Sequence, residues 1–261
     1  KHLVADTSDV PAGAQSAGQP AIHTRGEWGA RPASGSLSSA SELKLAVVHH
    51  SATGNDYAPG DVPGIIRSIQ AYHMDGNGWS DIGYNFVVDK YGGMWEGRGD
   101  SLTRNTVGAH AEGFNTGSVG VVALGNMTTG SPSSGQVDAI ADIIAWKFAN
   151  AGVDPSTTVS FTSGGSPRYP AGVVVDLPRV VGHRDVGLTD CPGANLYTQV
   201  VGRIRSVLPA LVAAKSSPVG VVDVAAAGPR SLYVSGWALD PLNPGPIDVH
   251  VYVDGVGRNL G

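Results

Sequence analysis

Apolar positions recur along this chain with two spacings, and the spacing assigns the elements. Leu43–His50 is a short, valine-rich apolar run and predicts a buried strand. From Pro63 the period lengthens: Ile65, Ile66, Ile69, Tyr72 and His73 fall three and four residues apart, on one face of a helix. Tyr84–Asp89 returns to strand character, Tyr91-Gly92-Gly93 supplies a turn, and Met94–Glu96 is the expected hairpin partner. Ser118–Leu124 predicts a third buried strand. The clearest helix follows. Ser133 and Gln136 have the capping-box spacing, in which each side chain satisfies the other's unpaired N–H. Val137, Ile140, Ile144 and Phe148 form its apolar stripe, and Gly152 stops it. A last helix is expected over Leu196–Leu208, with Val200 and Ile204 inward and Pro209 marking a bend or end. Strands interleaved with helices predict an α/β domain built on a mixed β-sheet with helices against it.

The polar stretches divide the chain. Residues 1–22, rich in Ala, Gly, Ser, Gln, Pro and Asp, read as a flexible leader. The main domain is expected over 23–212, with Trp28 as the anchor that docks its first arm. Residues 213–218 read as a linker. Beyond it, Val219–Val224, Leu232–Trp237 and Ile247–Val253 are strand-like runs, with turn chemistry at Asp240-Pro241 and Asn243-Pro244-Gly245-Pro246. This β-rich segment, 219–261, is small for independent stability and reads as a module cut short.

Composition narrows the partners. The chain has 261 residues, enough for one well-cored domain plus a smaller segment. Seventeen Lys and Arg against 22 Asp and Glu give a net charge of -5 with no basic run, so the electrostatic footprint of a nucleic-acid binder is missing. No apolar stretch approaches the ~20 residues of a membrane span. The single cysteine permits no internal disulfide.

That cysteine carries the chemistry. Cys191 lies eight positions after His183, in Gly182-His183-Arg184-Asp185 … Asp190-Cys191-Pro192-Gly193, and His49-His50 ends the first strand far upstream. Two imidazoles and a thiolate suit Zn²⁺ and leave one position open, as in catalytic zinc sites. Adjacent strand residues point to opposite faces, so only one of His49 and His50 can join a shared site. Each of these residues alone is more often structural, and the spacing matches no standard zinc signature. Their coincidence around a loop, where functional residues concentrate, favours a zinc hydrolase.

Seven segments follow in order: Glu27-Trp28-Gly29-Ala30-Arg31-Pro32, Val48-His49-His50-Ser51-Ala52, Asp81-Ile82-Gly83-Tyr84-Asn85-Phe86, Trp95-Glu96-Gly97-Arg98-Gly99, Gly108-Ala109-His110-Ala111-Glu112-Gly113-Phe114-Asn115, Ser118-Val119-Gly120-Val121 and the His183/Cys191 segment. Together they resemble the peptidoglycan recognition proteins and the related type-2 N-acetylmuramoyl-L-alanine amidases, over about residues 23–210. The resemblance implies a central mixed sheet flanked by helices. It also implies one Zn²⁺ held by His49, His183 and Cys191, and cleavage of the amide between the muramic acid lactyl group and L-Ala of the stem peptide. Family members without the cysteine bind peptidoglycan and do not cut it. By the same resemblance Tyr84 faces the metal-bound water and Thr189 stands where some amidases carry lysine. His110, Asn115 and His50 are the expected substrate contacts. Glu96 and Arg98 read at least as well as structural residues, in a salt bridge or turn contact. Asp100 and Ser101–Thr106 replace an aromatic position and insert residues, and the loop Thr157–Gly172 is longer than in compact animal members. That loop and the Gly/Ala/Val-rich composition resemble secreted actinobacterial relatives, as does Gly236–Pro241 with Tyr252–Gly255. A secreted or envelope-associated monomer acting on peptidoglycan or muropeptides is expected. The alternative is a peptidoglycan-binding or sensing module that retains zinc without catalysis.

Overall fold

Valine-rich segments pair into one six-stranded sheet. The computed structural model describes residues 18–216 and then 219–228, 231–239, 250–253 and 256–259. In chain order the elements are Ile22–His23 (β1), Arg25–Trp28 (α1), Leu45–His50 (β2), Val62–Ala71 (α2), Phe86–Val88 (β3), Met94–Glu96 (β4) and Ser118–Ala123 (β5). Ser134–Ala151 (α3), Thr158–Thr162 (β6), Val174–Pro178 (β7), Val180–Gly182 (β8), His183–Val186 (α4), Ala194–Gln199 (α5) and Arg205–Ser216 (α6) follow. The sheet order is β1-β4-β3-β5-β2-β8. β8, β2, β5 and β3 run parallel, and β4 turns back against β3 as the expected hairpin. The sheet is therefore mixed, as anticipated, with helices on its faces.

Alternation along β2 sorts the core. Ala46 and Val48 face one side, where they pack with Val137, Ile140, Ile144 and Phe148 of α3 and with Leu196, Val200, Ile204 and Leu208. Leu45 and Val47 face the other side, in a cluster with Phe114, Phe161, Leu177 and Val186. That second face also carries α1 and α2, through Trp28, Val62, Ile66 and Ile69. Trp28 is fully buried and donates its indole N–H to Glu96 O at 2.7 Å, so it anchors the arm as expected.

Several local expectations are corrected. Ile22 is buried and pairs with Met94, so the end of the supposed leader belongs to the sheet. Pro20–Val212 forms one compact unit. Tyr72 is 66% exposed instead of sharing the buried face of α2. The helix widens into a π-turn at Tyr72–Gly76, which turns His73 inward and Tyr72 outward. Ser133 caps α3 by accepting the Gln136 N–H, but Gln136 does not return the bond; its amide donates to Val88 O and Leu124 O across the buried sheet. Burial of those carbonyls outbids the cap. The last helix runs through Pro209 to Ser216 after a π-turn at Val200–Ile204, so residues 213–216 are helical where a linker was expected. The long loop at 157–172 begins with a strand, β6, and closes as a hairpin with β7. Arg98 and Glu96, by contrast, make structural contacts of the kind expected: Arg98 donates to Ile82 O and Ser80 Oγ, and Glu96 accepts from Leu102 N.

The described residues outside Pro20–Val212 form a second unit. There Val219–Gly228 (β9) and Ser231–Leu239 (β10) pair antiparallel, as do His250–Val253 (β11) and Val256–Asn259 (β12), the last of which the sequence did not suggest. Residues 247–249 and the turn residues 240–241 and 243–246 lie outside the described residues.

Candidate metal centre

The parallel pairing of β8 with β2 decides where the ligands meet. Val48 pairs with Gly182, so the residue after each strand position, His49 and His183, emerges side by side. Their rings lie 4.6 Å apart. Gly182 is required at this corner: a Cβ there would stand 2.8 Å from Pro192 and from the Tyr197 ring. Asp185 secures the start of the four-residue α4, accepting from Gly182 N at 2.9 Å and from the Tyr197 hydroxyl at 2.7 Å.

The chain then loops back to bring Cys191 in. Arg184 N donates to Cys191 O at 2.7 Å, and the Cys191 N–H donates to Thr189 Oγ1 at 3.1 Å. Gly193 has φ +83° and packs on the Met127 backbone, where a Cβ would fall within 2.4 Å. His49, His183 and Cys191 offer donor atoms that all lie within 4.8 Å of one another. Among the described residues this is the one group of three or more such donors that converges.

The donor types suit a zinc ion. Ideal Zn–N and Zn–S lengths place nitrogen and sulfur about 3.6 Å apart, and His49 Nδ1 stands 3.6 Å from Cys191 Sγ. The other nitrogen, His49 Nε2, is 3.1 Å from His110 Nδ1. A ligating histidine needs such a partner to fix its ring and tautomer. His110 is itself wedged between glycines, since a Cβ on Gly108 or Gly120 would lie 2.4 Å from its ring.

Electrostatics agree with the donor chemistry. Burial pushes the Cys191 thiol up to about 12. Burial likewise pulls His183 down to about 4 and His110 to about 3, and holds His49 well below the usual imidazole range, aided by its histidine neighbours. A divalent cation held among these groups would favour the thiolate over the thiol by its own charge. Tyr84 lies with its ring 5.3 Å from His49, and burial, followed by electrostatic coupling to Cys191, raises its pKa.

The remaining expected residues have internal partners. His50 points away from the cluster and accepts the Met127 N–H through Nδ1 at 3.0 Å, while its backbone N–H meets Cys191 Sγ at 3.4 Å. Asn115 Oδ1 accepts the N–H groups of His110 and Ala111 and so shapes their loop. Thr189 is exposed beside Cys191. Sequence reasoning passed over three supports: His73, tilted against Trp79 with ring centroids 4.7 Å apart and 5.4 Å from Tyr84; the Asp185–Tyr197 bond; and the β6–β7 hairpin. Only the hairpin left a readable signal, the strict alternation of Thr158-Val159-Ser160-Phe161-Thr162.

Fold and site together define an α/β protein with a candidate mononuclear His-His-Cys metal centre on one face of a mixed sheet. The family described as N-acetylmuramoyl-L-alanine amidase matches residues 39–194. The chain belongs to that family. It is 37% identical over 181 residues to the peptidoglycan-recognition protein SC2 of Drosophila simulans, covering 69% of this chain and 84% of that protein. It is 34% identical over 188 residues to the N-acetylmuramoyl-L-alanine amidase of Homo sapiens, covering 69% of this chain and 28% of that longer protein. Among solved structures it is similar to wild-type Drosophila PGRP-LB, with a TM-score of 0.56 at 29% identity over 70% of this chain and 93% of the other. It is also similar to peptidoglycan recognition protein LE in complex with tracheal cytotoxin, a monomeric diaminopimelic acid-type peptidoglycan, with a TM-score of 0.55 at 26% identity over 69% of this chain and 91% of the other.

Proposed function

We propose that the chain is a zinc-dependent N-acetylmuramoyl-L-alanine amidase that hydrolyses the amide between the muramic acid lactyl group and L-Ala of the peptidoglycan stem peptide. The observation that carries this reading is the convergence of His49, His183 and Cys191 within 4.8 Å, in a chain of the amidase family. Zinc bound there supplies a Lewis acid for the amide carbonyl and lowers the pKa of a water near it.

The chain's own groups do the rest. With His110 Nδ1 as the acceptor of a hydrogen bond from the His49 Nε2–H, Nδ1 of His49 is left as the ligand atom beside Cys191. Tyr84 keeps its phenolic proton at neutral pH and donates it as a hydrogen bond to the carbonyl oxygen as that oxygen gains charge. Thr189 accepts from Cys191 N–H and, exposed beside it, offers its O–H as a weaker, neutral donor. We assign His110, Asn115 and His50 to shaping the site from within. The substrate places the protein outside the cell or in the envelope, and all three donors come from one chain, so a monomer suffices.

Zinc-loaded protein incubated with sacculi should release stem peptides beginning with L-Ala, read by mass spectrometry. Cys191→Ser should lose both zinc and hydrolysis, because a neutral hydroxyl replaces a thiolate ligand, while circular dichroism and muropeptide binding persist. Intact sacculi after treatment with the zinc-loaded chain, or peptide release by Cys191→Ser at the unsubstituted rate, would each defeat the assignment.

A further inference from the structure

The tip of the β6–β7 hairpin touches both segments that set up the metal centre. It is ordered by its own bonds: Ser163 N donates to Val173 O, Ser166 N to Tyr169 O, and Gly165 N to Ser163 Oγ, at 2.8 to 3.0 Å. On one side it meets the segment that carries His110. Gly164 N donates to Gly113 O at 2.8 Å, and a Cβ on Gly113 would stand 2.7 Å from Gly165 O. Phe114 adds ring contacts to Phe161 and Tyr169, with centroids at 5.2 and 5.9 Å. On the other side it meets α4, which carries His183. A four-residue helix leaves its last carbonyls without intrahelical donors, and one of them, Val186 O, accepts from Ser166 Oγ at 3.2 Å.

We propose that this tip is a positioning element for the metal centre, with Gly113 and Ser166 as its two points of purchase. It holds the segment that orients His49, through His110, at a set spacing from the short helix that presents His183. The inference rests on the metal-centre reading above. Magnitude makes the case. Metal–ligand distances tolerate about 0.2 Å, whereas ordinary van der Waals contact at Gly113 would need the two backbones to part by about 0.7 Å. Neither segment has a long regular element of its own to resist such a shift: α4 is four residues long, and the His110 segment is a loop.

The test uses the full chain. Zinc affinity is measured by chelator competition, and ligand geometry by the absorption bands of the Co²⁺-substituted chain. Gly113→Ala should weaken zinc binding by about 10- to 100-fold, the range for loss of a group that orients a ligand, and should change the Co²⁺ bands. Gly172→Ala is the control. It has the same left-handed backbone, φ +83°, in the same tip, but no atom within 4 Å of the added methyl. It should lower thermal stability through backbone strain alone and leave zinc affinity unchanged. Ser166→Ala should weaken binding in the same direction by less, and Ser166→Thr, which keeps the hydroxyl, should restore it. If Gly113→Ala does not fold, the Ser166 pair decides. Equal zinc affinities for the unsubstituted chain, Gly113→Ala and Ser166→Ala would overturn the inference alone. No zinc uptake by the unsubstituted chain would remove the metal centre and the inference with it.

Discussion

Single side chains carry different burdens on the two faces of β2. His49 and His50 are neighbours in sequence, yet one faces Cys191 and His110 and the other accepts from Met127 N. Near the first of these stands Tyr84, whose hydroxyl is isolated experimentally by Tyr84→Phe because the ring keeps its packing. We expect kcat to fall by about 10²-fold with little change in KM, and Thr189→Ala to cost less. Steady-state kinetics on a soluble muropeptide would show this, and an unchanged kcat would reduce Tyr84 to a packing role. Behind it, His73 Nδ1 accepts the Gly83 N–H at 3.0 Å, and burial, followed by the Arg98 charge, pulls its pKa from 6.5 to about 4. Between those two values the unfolded chain binds a proton that the folded chain does not. Stability therefore falls as pH drops from about 6.5 to 4, by about 2 to 3 kcal/mol for this group. Urea titrations of the metal-free chain across that window should show the loss, and His73→Gln, which does not titrate, should shallow it. A slope identical in the two proteins would refute the role of this histidine.

Among the elements, α3 and the β6–β7 hairpin cover opposite faces of the sheet and have separate duties. Ile144 of α3 is fully buried with Ala46 and Val48, on the side away from His49. Ile144→Ala should cost about 2 to 5 kcal/mol, from lost burial and the cavity left behind. Zinc affinity should not move, because the donors stand on the other face; a large change in affinity with folded protein would show that the faces are coupled. The hairpin was legible only as alternation in β6, because its role depends on which loops its tip meets. The π-turn after α2 had no sequence signal at all. A helix of regular period puts Tyr72 on the inner face, and only packing of His73 against Trp79 and Tyr84 reverses that choice.

For the whole molecule, every donor and every support described above belongs to Pro20–Val212. The chain cut after Ser216, where α6 ends, should retain its zinc and its rate on soluble muropeptides. Side-by-side assays on muropeptides and whole sacculi give the readout. Loss on sacculi alone would assign the later strands to targeting, and equal loss on both would mean that they shape the site. Among the described residues no helix is long and apolar enough to cross a membrane.

Local chemistry alone determined the strands around Val47 and Val121, the α3 stripe with its Ser133 cap and Gly152 stop, and the three ligand types, because period, capping and donor character are properties of short segments. Tertiary structure decided what depends on distant partners. It placed His49, not His50, beside Cys191, since strand alternation allows one of them but does not say which face is the site. It turned Gln136 from its cap to the carbonyls of Val88 and Leu124, and it carried the last helix through Pro209 to Ser216. It also set His110 behind His49, in a glycine-lined slot and away from solvent. Such outcomes turn on buried contacts between residues far apart in the chain, and no local pattern encodes them.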